Sequence, residues 1–216
     1  KMLFGIKLFN YWFWGYICFL IFLITMINLI LFGKPGSGKG TQAEFVKKKY
    51  DLIHISTGDL FRNNMSNNTD LGLLAKSYIE KGDLVPDEVT IKMLEAEVNT
   101  HPNANGFIFD GFPRTTVQAE ILDQFLSTLN LSISLTIALE VDENLLIDRL
   151  ISRGKDSGRA DDQDRSKIQN RFNEYNNKTS PLINFYKIQN KFFKVNGVGD
   201  INDISARIFN TIDNNI

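Results

Sequence analysis

The sequence predicts an α/β protein in which a five-stranded parallel sheet carries helices on both faces. Short apolar runs alternate with longer helical stretches along the 216 residues, the pattern of strands joined by helical crossovers. The runs are apolar throughout rather than alternating, as in strands buried on both faces. A glycine-rich loop also follows the first run and precedes a helix, and the chain is long enough for one such domain.

The strands and helices can be assigned in chain order. Strands are predicted at residues 27–32, 52–56, 106–110, 135–141 and 192–195. Helices are predicted at residues 41–50, 71–81, 87–99, 116–126, 143–152, 166–179 and 201–214. Ligands of such sheets bind at the carboxyl ends of the strands, so we expect the site there.

Composition excludes several classes of site. The formal net charge of −1 argues against a basic nucleic-acid-binding surface, and no nucleic-acid partner is expected. Cys18 is the only cysteine, which excludes an intrachain disulfide and a zinc site built from several thiolates. His54 and His101 are isolated in the sequence, and neither is assigned to a metal.

The loop "GKPGSGKGT", residues 33–41, has the context of a phosphate-binding loop. Its glycines let backbone N–H groups turn towards phosphate oxygens, and the helix N-terminus adds favourable partial charge. Lys39 supplies a mobile cation. The hydroxyl that usually follows the lysine comes one place later, at Thr41, because Gly40 intervenes. The residues expected to hold the phosphates are Gly36, Ser37, Gly38, Lys39, Gly40 and Thr41.

Four motifs in one order resemble an adenylate kinase of the short-lid type, a nucleoside monophosphate kinase with a P-loop fold. They are "GKPGSGKGTQ", "ISTGDLFR", "GFIFDGFPRT" and "SGRADDQ", and the resemblance runs from about Met26 to the C-terminus. It implies a kinase domain at 26–216 with a helical acceptor-binding segment at 56–85 and a short lid at 154–164. The implied reaction is ATP + AMP = 2 ADP with Mg²⁺, in a cytoplasmic monomer without structural zinc.

The residues themselves suit this chemistry. Transfer of a phosphoryl group between two polyanionic nucleotides needs positive groups around the phosphates, alignment of the reactants and exclusion of water. Arginine suits this role because it makes planar contacts to phosphate. Arg149 and Arg153 are four apart on one predicted helix and share a face. Asp110 ends an apolar strand, where an acid could order Mg²⁺ through water. Arg165 and Arg207 are expected to be solvated.

The resemblance also assigns roles residue by residue. ATP would be flanked by Arg149, Arg153 and Gly199, in addition to the loop. AMP would be contacted by Thr57, Arg62, Asp83, Leu84, Val85, Gly111, Phe112, Pro113, Arg114, Gln118, Arg159 and Arg171. The catalytic set would be Lys39, Arg114, Arg153, Arg159 and Arg171.

Two features depart from the family pattern. Arg159 and Arg171 are twelve residues apart, one more than expected, which could displace the second arginine slightly. Lys34 places a charge in the loop where a small or apolar residue is more usual. Asp161 and Asp162 follow the lid arginine and could pair with arginines on closure.

The sequence leaves two alternative functions to consider. A UMP/CMP kinase also has a short lid, but Thr57, Thr115 and Gln118 have the adenylate form and favour AMP. A membrane-anchored protein that binds adenylates without catalysis would need a true anchor and a missing catalytic arginine. The arginines are all present.

Residues 1–25 form an apolar N-terminal extension, uncharged from Leu8 to Thr25, which is just long enough for a membrane helix. Lys1 and Lys7 would keep the N-terminus cytoplasmic, so a single span would place the kinase away from ATP. No small-residue cleavage site precedes Met26. We therefore expect the extension to be upstream read-through rather than part of the native enzyme, with no stable membrane association.

Overall fold

The structure, a computed structural model, describes residues 26–216, so the predictions for residues 1–25 lie outside the described part. Its centre is a five-stranded sheet of order β2-β3-β1-β4-β5 in which every neighbouring pair is parallel. The strands are β1 Ile27–Phe32, β2 Ile53–Ser56, β3 Gly106–Asp110, β4 Leu135–Glu140 and β5 Phe192–Asn196. The predicted fold class is confirmed.

Helices cover both faces of the sheet. They are α1 Lys39–Tyr50, α2 Thr57–Ser66, α3 Asp70–Ile79, α4 Asp87–Asn99, α5 Thr116–Thr128, α6 Glu143–Ser157, α7 Arg165–Glu174, α8 Leu182–Ile188 and α9 Ile201–Asp213. On β1, Ile30 and Phe32 pack into one core cluster, and Leu29 and Leu31 pack into the other. This alternation of buried side chains explains why the strand is apolar at every position.

Three predictions about helices need correction. The single helix predicted at 166–179 is α7 followed by a π-helical turn, Tyr175–Thr179, where two asparagines favour helix weakly and Pro181 soon follows. Helix α2 was not separately predicted, because "TGDLFRNNMS" has weak propensity. It is stabilised by the Ser56 hydroxyl, which caps Asp59 N–H at 3.3 Å, and by burial of Phe61. Helix α8 was missed because it is only seven residues long.

The close fit of β1 and β3 depends on one glycine. Gly106 has φ +148, and a Cβ there would lie 2.1 Å from the carbonyl oxygen of Ile27. No other residue can occupy this position without moving a strand. Among the described residues, none of the helices combines the length and the apolarity needed to cross a bilayer.

Candidate active site

The glycine-rich loop joins β1 to α1 at the carboxyl edge of the sheet. Gly36 and Gly38 have φ values of +83 and +95, which only glycine adopts without strain. The Lys39 side chain folds back over the loop, and its Nζ donates to the carbonyl oxygens of Gly33 at 2.8 Å and Lys34 at 3.2 Å. The cation is therefore held against the backbone of the loop.

The pKa of Lys39 is lowered from 10.5 to about 8, chiefly by burial. The charge of Asp110 opposes this shift, and the positive charges of Arg114, Arg171 and Arg153 add to it. Burial also lowers the pKa of Arg114 to about 10. Burial is the largest cause of both shifts and the neighbouring arginines add to it, so a bound anion would favour the charged forms of both side chains.

The unusual charge at Lys34 has a partner. Its Nζ forms an ion pair with Glu143, in the first turn of α6. The phosphate loop is thereby tied to the helix that carries Arg149 and Arg153.

Asp110 ends β3 beside the phosphate loop. Its Oδ2 lies 3.6 Å from the position of a Cβ built on Gly40, and 3.5 Å from His54 Nε2. The other ring nitrogen of His54 is 3.0 Å from Glu44 Oε1. Burial opposes protonation of this histidine, but the neighbouring carboxylates of Asp110 and Glu44 outweigh it and raise the pKa of His54. Within residues 26–216 no three acidic, histidine or cysteine side chains cluster as metal ligands.

Six arginines converge on a single cleft of about 650 Å³ at this edge. They come from α2, the segment after β3, α6, the lid segment and α7: Arg62, Arg114, Arg149, Arg153, Arg159 and Arg171. The twelve-residue separation has not removed Arg171 from the cleft, because it and Arg159 both line it.

A buried carboxylate lies beneath two of these arginines. Arg153 donates to Asp162 through Nε at 2.7 Å and through Nη2 at 3.0 Å, and Arg171 pairs with the same carboxylate. Asp162 is 0% exposed. Burial opposes its ionisation, but the hydrogen bonds from Arg153 and the charge of Arg171 hold the pKa of Asp162 below its usual range. Asp161 also contacts Arg171, at 2.9 Å.

A second pocket opens beside the cleft, between α2, α4 and the segment after β3. Thr57 Oγ1 and Arg114 Nε both donate to the carbonyl oxygen of Gly111, at 3.0 and 2.7 Å. The predicted AMP residues that line this pocket are Thr57, Arg62, Asp83, Leu84, Val85, Gly111, Arg114, Gln118 and Arg171.

Three of the predicted AMP residues lie elsewhere. Arg159 lines the larger cleft, and Pro113 lines a small neighbouring pocket. Phe112 was grouped with the AMP residues, but its side chain is 1% exposed in the hydrophobic core and lines neither the cleft nor the second pocket.

Arg149, Gly199, Ile201 and Ile204 also line the cleft. Gly199 has φ +124 in the loop between β5 and α9. The expectation that Arg207 is merely solvated is wrong, because its Nη1 donates to the carbonyl oxygens of Asn196 and Val198, both at 2.8 Å. Arg207 therefore holds the shape of the loop that carries Gly199. Arg165 is exposed, as expected.

Several wall residues were not identified from the sequence. Asp59 pairs with Arg62 and lies 3.7 Å from Arg159, which links α2 to the lid. Gln42, Ile201 and Ile204 complete the wall near Gly199. Asp59 lies within the motif "ISTGDLFR", whereas nothing in the sequence distinguishes Ile201 and Ile204 from core residues.

Comparison with known proteins gives a consistent result. The family model described as adenylate kinase matches residues 31–191. An adenylate kinase of Flavobacterium psychrophilum is 58% identical over 189 residues, covering 88% of this chain and 100% of that protein. Adenylate kinases of Flavobacterium johnsoniae, 58% identical with the same coverage, and of Bacteroides thetaiotaomicron, 47% identical over 87% of this chain and 99% of its own length, also match.

Proposed function

The chain belongs to the adenylate kinase family, and from that premise we propose how its cleft transfers a phosphoryl group from ATP to AMP to form two ADP. The proposal rests on a shared wall, that is, on residues that line both the cleft and the pocket beside α2. The cleft at the phosphate loop and the pocket beside α2 have five lining residues in common: Gly58, Arg62, Gly111, Arg114 and Arg171. Two nucleotides bound in the two spaces would therefore meet at their phosphates.

ATP occupies the larger cleft in this proposal. The loop from Gly36 to Thr41 surrounds its phosphates, with Lys39 on the outer ones, and Arg149, Gly199 and Ile201 flank the base. The positive φ values of the loop glycines and the tethered Lys39 support this placement.

AMP occupies the pocket beside α2. Arg62 and Arg114 bind its phosphate, while Val85 and Gln118 lie at the far end, where the base would sit. This arrangement points the AMP phosphate towards the donor, since both arginines belong to the shared wall.

The chemical step needs positive charge around the transferring group rather than covalent catalysis. Lys39, Arg114, Arg153, Arg159 and Arg171 supply it. Asp162 holds Arg153 and Arg171 with their guanidinium groups lining the cleft, so they need little reorganisation when charge develops.

Mg²⁺ bound with ATP would neutralise charge on the phosphate oxygens. Asp110 is the residue that would hold it through water, because its carboxylate ends β3 beside the phosphate loop.

The two segments that bound the cleft, the acceptor-binding segment 56–85 and the lid 154–164, close over the nucleotides in this proposal. The 3.7 Å contact between Asp59 and Arg159 supports a closed arrangement, because it joins the two segments across the cleft. Closure would exclude water and limit ATP hydrolysis. We also propose a cytoplasmic monomer, since ATP is available there and residues of one chain line both spaces.

An acceptor panel tests the proposal. Initial rates are measured with ATP and Mg²⁺ against AMP, UMP and CMP, and AMP is expected to be the preferred acceptor. Arg114→Lys should lower kcat by roughly a hundredfold, because a point charge replaces a planar donor at the phosphates. Arg165→Lys, at an exposed arginine outside the cleft, is the matched control. A preference for UMP or CMP would refute the assignment of the acceptor.

A further inference from the structure

Asp87 is the first residue of α4 and lies against the turn that leads into α5. Its Oδ1 accepts from Gln118 Nε2 at 2.7 Å, and its Oδ2 accepts from Thr115 Oγ1 at 2.9 Å. Both oxygens of the half-buried carboxylate therefore bind side chains near the acceptor pocket.

Gln118 has a second partner on the other side of its amide. Its Oε1 accepts from the backbone N–H of Arg114 at 2.7 Å, and the residue is 1% exposed. An ionised carboxylate only accepts and a backbone N–H only donates. The amide thus has one orientation that satisfies both neighbours. Rotated by half a turn, it would set oxygen against oxygen at Asp87 and N–H against N–H at Arg114.

This orientation determines what Gln118 offers to a ligand. After the contacts to Asp87 and Arg114, one N–H on Nε2 and one lone pair on Oε1 are left. Gln118 lines the acceptor pocket. A donor beside an acceptor complements the edge of adenine, where ring N1 accepts and the 6-amino group donates. Hypoxanthine and guanine present the reverse, an N1–H donor beside a 6-oxo acceptor.

We propose that Asp87 is a positioning residue that fixes the polarity of the Gln118 amide and thereby makes the acceptor pocket select 6-aminopurine over 6-oxopurine monophosphates. The inference rests on the proposed function, because it assumes that the pocket beside α2 binds the acceptor base. Asp87 itself need not touch the nucleotide.

The test compares AMP with inosine monophosphate as acceptors, using the full-length protein and Asp87→Asn. Asparagine can accept or donate, so it no longer opposes rotation of the Gln118 amide. We expect the KM for AMP to rise about tenfold and the AMP-to-IMP ratio of kcat/KM to fall about tenfold, the effect of losing a hydrogen bond to a charged group. The KM for ATP should stay within about twofold, since Asp87 lines neither nucleotide space.

Glu88→Gln is the matched control. It removes the same charge from the adjacent, exposed position in the first turn of α4, so any effect of charge on the helix N-terminus is common to both variants. Asp87→Glu keeps the acceptor and is expected to retain selectivity. If Asp87→Asn does not fold, Asp87→Ala removes the same acceptor.

Different outcomes would refute the proposed function and the role of Asp87. Wild-type protein that fails to use AMP would refute the proposed function. Normal turnover of AMP by the wild type, with Asp87→Asn indistinguishable from Glu88→Gln, would overturn the role of Asp87. Equal increases in the KM for AMP and the KM for ATP, with an unchanged AMP-to-IMP ratio of kcat/KM, would overturn it too, because they would indicate a merely structural effect.

Discussion

Binding of ATP should be accompanied by uptake of a proton at Lys39 when the pH is near or above 8. In the free protein the pKa of Lys39 is about 8, so about half of the molecules carry a neutral side chain at pH 8 and about nine-tenths at pH 9. A triphosphate beside Nζ favours the charged form and should return the pKa towards its ordinary value. The expected uptake per bound ATP is therefore about 0.1 proton at pH 7, 0.5 at pH 8 and 0.9 at pH 9.

Isothermal titration calorimetry measures this uptake directly. ATP is titrated in buffers that differ in ionisation enthalpy, and the slope of observed heat against that enthalpy gives the number of protons taken up. The terminal phosphate of ATP is already ionised above pH 8 and contributes little. Arg114, with a pKa of about 10, adds only about a tenth of a proton at pH 9.

Two variants identify the residue that takes up the proton. Lys39→Met should reduce the slope at pH 9 to near zero, whereas Lys48→Met, at an exposed lysine on the same helix, should leave it unchanged. A wild-type slope near zero at pH 9, or an equal slope in Lys39→Met, would refute the account of Lys39 as a buried cation that the nucleotide recharges.

Three further predictions concern groups around the cleft and the sheet. Asp162→Asn places a donor against the arginines that the carboxylate holds, so kcat in the coupled assay should fall at least about tenfold, while Asp156→Asn, at an exposed position, should change kcat little. Gly106→Ala should cost at least about 4 kcal/mol of unfolding free energy, measured by denaturant titration, because its Cβ would lie 2.1 Å from a carbonyl oxygen. Gly158→Ala, at φ +68 with open space around it, should cost only about 1–2 kcal/mol. The charged ring of His54 is favoured by its two carboxylate neighbours, so it should contribute unfolding free energy that is fully present below pH 6.5 and lost as the pH rises through its raised pKa. His54→Gln should therefore lower the unfolding free energy at low pH and change it less at high pH.

Each of these has a result that would contradict it. A wild-type kcat in Asp162→Asn would mean that the arginines need no buried partner. Equal costs for the two glycine variants would remove the steric argument for Gly106. A stability difference between wild type and His54→Gln that grows from pH 6 to pH 8 would reverse the sign assigned to His54.

The sheet and the phosphate loop could be predicted from sequence because local patterns encode them. An apolar run such as Ile27–Phe32 identifies a buried strand, and the spacing of glycines around Lys39 identifies the loop. Helix α2 could not be predicted with the same ease, because burial of Phe61 and a cap from Ser56 compensate for its weak propensity.

The supporting roles of Asp87 and Arg207 could not be predicted, for a different reason. Asp87 and Gln118 are 31 residues apart in sequence and become partners only through the fold. Arg207 contacts carbonyl oxygens of the loop before its own helix, and nothing in its neighbours separates it from a solvated arginine. The sequence identified the candidate arginines by their motifs and Asp161 and Asp162 as possible partners, whereas only the structure shows that Asp162 is buried and paired with both Arg153 and Arg171.

The most direct test of the central claim follows the transferred phosphoryl group. Purified full-length protein is given AMP, Mg²⁺ and ATP labelled at the γ-phosphate, and the products are separated before ten per cent of the AMP is consumed. The account predicts one labelled ADP, carrying the label at its β-phosphate, for each AMP consumed, with little labelled inorganic phosphate. Label released mainly as inorganic phosphate, at a rate independent of AMP, would contradict transfer between two nucleotides held in one cleft.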